Sequence, residues 1–295
     1  MPGPGRVTVR PLIHLIDGRS GDSEMAHYST GTGQIYYEFH RGDDRLPCVL
    51  LIHGFGMNVR AWDTTTARLI AAGYPVLLAD QRCCGTSDKD FADVTISTQA
   101  EDLVEICNEW NLERVVANGW SLGGAIAVQV AAMLGSRAAG LVLTGGATPR
   151  YTQADGFPFG GTPEDIRGMV NALQADRATF LRGLYFDGVF VRDVGEAVKT
   201  WCWHLALQES PAGDAALLDL ARIDQREIMG DLSCPALIIH GAEDGVVPIE
   251  IGRYAAEQLQ KGAIHEISDC GHAPFLEAPD EYHGALMSFL EGLPR

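Results

Sequence analysis

Hydrophobic and polar positions follow two periods along this chain. Gln34 to Phe39 alternates at every second residue, as a strand with one covered face does. Cys48 to Ile52 and Pro75 to Ala79 are unbroken apolar runs, the pattern of strands covered on both faces. Between them Ala61 to Ala72 reads as a helix ended by Gly73. The same reading predicts a helix over Thr98 to Trp110, a short strand over Arg114 to Ala117, a helix over Ser121 to Leu134 and a strand over Gly140 to Thr144. Further on, Pro235 to Ile239 is again a buried strand, Ile249 to Leu259 a helix, Ala263 to Ile267 a short strand and Asp280 to Leu290 a closing helix. Repeated strand–helix alternation predicts an α/β fold, a mostly parallel sheet with helices on both faces.

Two stretches depart from this rhythm. Residues 149–228 hold no buried strand and read as helical or irregular, with aromatic residues at Tyr185, Phe186, Phe190, Trp201 and Trp203. They are expected to form a helical cap inserted into a core made of residues 28–148 and 229–295. Residues 1–27 are rich in Gly, Pro and Arg without sustained periodicity, and are expected to be a flexible extension in which Met25 is an alternative start.

One junction carries chemistry. Asn118-Gly119-Trp120-Ser121-Leu122-Gly123-Gly124 sets a serine between two glycines, after the apolar run Val115–Ala117 and before the helical run from Ala125. Gly-x-Ser-x-Gly at a strand-to-helix turn is a nucleophile elbow. The turn is so tight that side chains two positions either side of the serine would collide. The helix that follows points its N-terminus at the same spot and favours developing negative charge there. A serine hydroxyl is a weak nucleophile and needs a base, and the base needs an orienting acid. In an open parallel sheet the loops at the strand C-termini meet on one edge, so the partners should follow later strands. Asp244 lies just past the strand at 235–239 and His272 just past the last strand. The order Ser, Asp, His is the one this architecture uses.

Composition narrows the partners. The 295 residues are 46% hydrophobic, enough for a sizeable core, and the formal charge is −17. So acidic a surface disfavours nucleic acid and anionic membrane. No apolar stretch approaches a membrane span, and Leu12 to Ile16 is too short and too interrupted for a signal peptide. Seven cysteines, with no Cys-x-x-Cys pair and no zinc spacing, suit reduced thiols and a cytoplasmic location.

With these motifs in order the chain resembles the α/β-hydrolase superfamily from about Gly31 to its end. The matching stretches are His53-Gly54-Phe55-Gly56, Asp80 to Ser87, the elbow, the Gly-x-x-Asp ending at Asp244, and Gly271-His272. The resemblance implies Ser121 as nucleophile, His272 as general base and Asp244 as orienting acid, with the backbone N–H groups of Phe55 and Leu122 as oxyanion hole. It selects Asp244 over Glu243 by the Val-Val-Pro run that follows. An alternative acid position, after the strand at 140–144, holds only Gly145-Gly146-Ala147. The subgroup it suggests contains cofactor-free haloperoxidase-like esterases and enol-lactone hydrolases. It implies no metal or organic cofactor, a small ester or lactone substrate, and a fold that supports monomers and homodimers alike. The fourth-strand motif of that superfamily reads Asp-x-Arg-Gly-x-Gly-x-Ser. Here Cys83 replaces the first glycine and Cys84 follows it, which reads as a tolerated loop substitution.

The pocket is less legible. Trp120 either lines its floor or packs in the core, and Phe275 follows closely on His272. Tyr185, Phe186, Trp201 and Trp203 are candidates from the cap, although a cap must also pack its own helices with large residues. His53 is expected to hold the oxyanion loop, and Glu277 and Asp280 to serve as charges at the last helix start. The leading expectation is hydrolysis of a carboxylic ester or lactone. The alternatives are peroxide as acceptor, carbon–carbon bond hydrolysis on the same residues, or a ligand receptor with slow hydrolysis.

Overall fold

A computed structural model of the chain describes residues 23–294. Eight strands among them form one sheet: β1 (Ser23–Ser29), β2 (Gln34–His40), β3 (Cys48–Ile52), β4 (Val76–Ala79), β5 (Val115–Trp120), β6 (Ala138–Thr144), β7 (Ala236–Gly241) and β8 (Gly262–Ile267). Their order is β1-β2-β4-β3-β5-β6-β7-β8. β1, β2 and β4 pair antiparallel, and every pairing from β4 to β8 is parallel. The unbroken apolar runs are the interior strands, and every residue of β3, β4, β5 and β7 is buried. Helices α1 (Asp63–Ala71), α2 (Ile96–Glu109) and α3 (Leu122–Leu134) cover the first half of the sheet. The last of these is apolar on nearly every side and sits in the core against β5, β6 and α2.

Between β6 and β7 the chain builds α4 (Pro163–Ala175), α5 (Arg177–Gly183), a π-helical turn Leu184–Gly188, α6 (Glu196–Ala206), α7 (Ala215–Leu220) and α8 (Arg226–Asp231). After β7 come α9 (Ile249–Gln258), α10 (Pro274–Glu277) and α11 (Pro279–Glu291). Among the described residues no helix is long and apolar enough to cross a membrane.

One expected boundary moves. Residues 23–27, read as part of a flexible extension, belong to β1, which pairs along its whole length with β2. The strand lies at the sheet edge and half-buries only Ala26 and Tyr28, so it lacks a strong hydrophobic signature. The rest of that extension, residues 1–22, lies outside the described residues. The chain passes from β3 to β4 on one side, then to β5 on the other side of β3. The loops that follow β3 and β5 therefore part and leave a crevice at the carboxyl ends of the strands.

Candidate active site

The crevice is built around Ser121. Its backbone has φ 57° and ψ −122°, a region in which a side chain costs roughly 1–3 kcal/mol. The surroundings hold it there. Ser121 N donates to Thr144 O (3.1 Å), and Ser121 O accepts from Gly124 N (2.8 Å) and Ala147 N (2.9 Å). Gly119 and Gly123 make the turn sterically feasible. A Cβ on Gly119 would collide with the carbonyl oxygen of Gly123, and one on Gly123 with those of Ile52 and His53.

Two residues with unused backbone N–H groups border the same space. Phe55 lies in the loop after β3 and Leu122 opens α3. Both line the cavity beside Ser121, and neither N–H is used by a hydrogen bond among the described residues. His53 braces that loop, as its sequence position suggested. Its Nδ1 faces Gly54 O at 2.8 Å, and its Nε2 accepts from Gln81 N at 2.9 Å. Burial pushes its pKa down to about 4, so the ring stays neutral and keeps both bonds.

The loops after β7 and β8 bring Asp244 and His272 together. Asp244 Oδ2 lies 2.7 Å from His272 Nδ1, while Oδ1 accepts from Val246 N and Val247 N, both at 2.8 Å. Burial alone would raise the Asp244 pKa. The facing His272, with hydrogen bonds from His240 and His272, outweighs that and holds the carboxyl well below its usual range. An ionised carboxylate only accepts, so the proton of His272 sits on Nδ1, and Nε2 is left with a free lone pair. Gly145, in the loop after β6, lies directly beneath this pair. A Cβ there would stand 3.3 Å from both Asp244 Oδ2 and His272 Nδ1. His272 and Ser121 line the same cavity, although no hydrogen bond closes between Ser121 Oγ and the ring in this structure. Such bonds commonly tighten only once substrate is bound.

The His272 loop is tied from both sides. Trp120 Nε1 donates to His272 O (2.8 Å), and His272 N donates to Val189 O in the segment after the π-helical turn (2.8 Å). Glu277, expected to act as a helix-start charge, has a different job. Its buried carboxylate accepts from Val191 N (2.8 Å), Arg192 N (2.6 Å) and Gly271 N (2.9 Å), which clamps the cap segment to the residue before His272. Nothing local in the sequence marks it, because its partners lie far away along the chain. Asp280 is exposed and pairs with Arg68 at 2.8 Å.

The cavity encloses about 520 Å³ of empty space, its open mouth included. Of the sequence candidates for its wall, Trp120 and Tyr185 line it. Phe186, Trp201, Trp203 and Phe275 do not. Phe275 is buried beneath the site, stacked on Trp62 at 4.4 Å and edge-on to Trp120 at 5.0 Å. Trp203 donates to Ala178 O (3.0 Å) and meets Phe186 edge-on, and Trp201 is half-buried against the core, so all three serve packing. The walls that sequence reading missed are Tyr151, Met169, Leu184, Val189, Leu217, Leu220 and Val246. These are ordinary apolar positions on helices and loops, and only the tertiary arrangement turns them toward Ser121. Cys83 adopts φ 69°, the left-handed region its glycine counterpart would favour, and its carbonyl accepts from Ser210 N at 2.9 Å. All seven cysteines are buried and unpaired. Among the described residues no three His, Cys, Asp or Glu side chains gather to hold a metal ion.

The fold and this crevice define an enzyme of the hydrolase kind, and comparison with known proteins agrees. The model of the alpha/beta hydrolase fold family matches residues 47–279, and the chain belongs to that family. A pimeloyl-[acyl-carrier protein] methyl ester esterase of Chromobacterium violaceum is 30% identical over 250 residues, 83% of this chain and 94% of that protein. The solved esterase of Exiguobacterium antarcticum superposes with a TM-score of 0.84 at 26% identity, covering 89% of this chain and 97% of its own. A bromoperoxidase of Bacillus anthracis does so with a TM-score of 0.84 at 26% identity, covering 92% and 100%.

Proposed function

We propose that the protein is a serine hydrolase that cleaves a carboxylic ester or lactone through an acyl-enzyme on Ser121. The observation that carries this is the shared cavity: an elbow serine and an imidazole whose far nitrogen is held by a buried carboxylate face the same small space. In this reading His272 Nε2 takes the proton of Ser121 as Oγ attacks the carbonyl carbon. The N–H groups of Phe55 and Leu122 stabilise the oxyanion. The imidazolium, stabilised by Asp244, passes its proton to the leaving alcohol. Water then attacks the acyl carbon with His272 again as base, and the acid leaves Ser121 free.

The test is a panel of p-nitrophenyl esters of rising chain length with several lactones, run on the wild type and on Ser121→Ala. Turnover should fall by at least about a thousandfold in the variant. Intact mass after an organophosphonate should show one adduct, at Ser121. Unchanged turnover in Ser121→Ala would remove the mechanism. The likeness to a bromoperoxidase supports a second acceptor. Hydrogen peroxide in place of water would release the acyl group as a peracid, read as halogenation that depends on both acyl donor and peroxide.

A further inference from the structure

Building on the ester-hydrolase reading, we propose that the cavity takes an uncharged, apolar acyl chain and rejects esters that carry a carboxylate on that chain. Much of its lining is aliphatic: Met169, Leu184, Leu217 and Leu220 from the cap, with Val246 of the core. No lysine or arginine lines it. Arg177, a half-buried cation of the cap, is already shared between Glu209 (3.1 Å) and Asp214. Glu209 in turn stands against Gly56, the neighbour of Phe55, so the side chain behind that loop is a carboxyl and offers a substrate carboxylate no cation. A carboxylate drawn into the cavity would lose its water and gain no partner.

The direct test compares p-nitrophenyl hexanoate with mono-p-nitrophenyl adipate, which match in chain length and differ in the terminal charge. We expect kcat/KM to favour the neutral ester by about a hundredfold. A preference under about tenfold, or one for the adipate, overturns the proposal. A second arm does not depend on turnover. Ser121→Ala is titrated calorimetrically with hexanamide and with the monoanion of adipamic acid. Binding of the amide alone supports the proposal, and binding of both or of neither overturns it. A wild type that hydrolyses no ester at all would end the reading of the reaction, while the calorimetric arm still judges the pocket.

A different observation singles out His240. This imidazole, at the end of β7, is fully buried. Its Nε2 lies 2.8 Å from Val247 O and 3.2 Å from Asp244 Oδ2, both acceptors, so its proton is on Nε2. Its Nδ1 has no partner, and α9 makes room for it with Gly252, where a Cβ would stand 2.6 Å away. The charged groups around it are Asp244 in its own loop and Glu266 across on β8, which Arg253 of α9 holds at 2.7 Å. We infer that His240 is a positioning residue. Its Nε2–H, bonded to Val247 O, also stands 3.2 Å from the carboxylate oxygen that His272 uses, fixing that oxygen and sharing its charge.

The readout is the pH dependence of Ser121 labelling by a fluorophosphonate, followed by intact mass. Without the His240 donor, Oδ2 keeps its full charge for His272, the imidazolium is favoured, and the labelling midpoint moves up. In His240→Phe we expect a rise of about half a pH unit or more, and in His240→Gln, which still donates, much less. A midpoint unmoved in a folded His240→Phe, or moved equally in His240→Gln, overturns the inference. If His240→Phe does not fold, His240→Asn, too short to reach Oδ2, carries the same expectation. A wild type that takes no label would instead refute the assignment of Ser121.

Discussion

Glu277→Gln isolates the clamp between the cap and the His272 loop. The glutamate accepts two N–H bonds on Oε1 and one on Oε2, all from buried or half-buried backbone. In the variant one oxygen becomes an NH₂ group. Facing Gly271, it sets donor against donor and strands one N–H. Facing Val191 and Arg192, it strands two, so the side chain settles in the first orientation. A hydrogen bond to a charged partner is worth about 1.5–3 kcal/mol, and the two that survive now meet a neutral oxygen. The expected loss is about 3 kcal/mol. For a domain of this size that lowers the melting temperature by roughly 6–12 °C. Gly271 precedes His272, so a loosened loop also misplaces the imidazole, and kcat/KM should fall about ten- to a hundredfold. Thermal melts at pH 7 and ester turnover on the same preparations read both effects. A melting temperature within 2 °C of wild type together with full turnover would refute the clamp, where ~2 °C is less than 1 kcal/mol.

Two glycine substitutions should diverge. Gly119→Ala forces a Cβ into the carbonyl of Gly123 and should cost more than about 3 kcal/mol in chemical denaturation, or yield insoluble protein. Gly168→Ala, on the exposed face of α4 with nothing near the new methyl, should gain about 0.5–1 kcal/mol in the same assay. Asp244→Asn places an amide where His272 Nδ1 donates and turns the ring to the wrong tautomer. Turnover should drop by about 10³–10⁴ with little change in KM, measured on the best ester of the panel. Glu209 predicts a pH effect on stability. Burial, against the pull of Arg177, raises its pKa to about 8. A carboxyl raised above its unfolded value stabilises the fold fully below about pH 4.5, and that stabilisation is lost as pH climbs through 8. Melting temperature should therefore decline between pH 5 and 8 in the wild type. The decline should flatten by roughly 5 °C in Glu209→Gln. Parallel curves for the two proteins would contradict this.

The parts legible in the sequence are those whose cause is local. The apolar runs at Cys48–Ile52 and Pro75–Ala79 announce buried strands because both faces of a parallel sheet are covered. Gly119, Ser121 and Gly123 announce the elbow because their own backbones collide otherwise. Asp244 and His272 stand out by their place after strands, and His53 by its motif. Other parts depend on contacts between distant segments. β1 exposes most of its side chains, so its partner β2, and not its own pattern, makes it a strand. Trp201 and Trp203 are conspicuous in sequence yet serve the cap's packing, while unremarkable residues such as Leu217 and Val246 form the cavity wall. Glu277 and His240 take their meaning from partners that only the fold brings near.

The knot of bonds linking residues 189–192 to the loop that carries His272 bears on how the crevice opens. If that edge of the cap lifted, it would break the bond from His272 N and the grip of Glu277 together, and the enzyme would gape with its base displaced. An opening that leaves the chemistry armed must therefore spare this seam and draw on other cavity-lining parts of the cap, such as Met169 of α4 and Leu217 of α7. The seam itself then stays shut through every cycle.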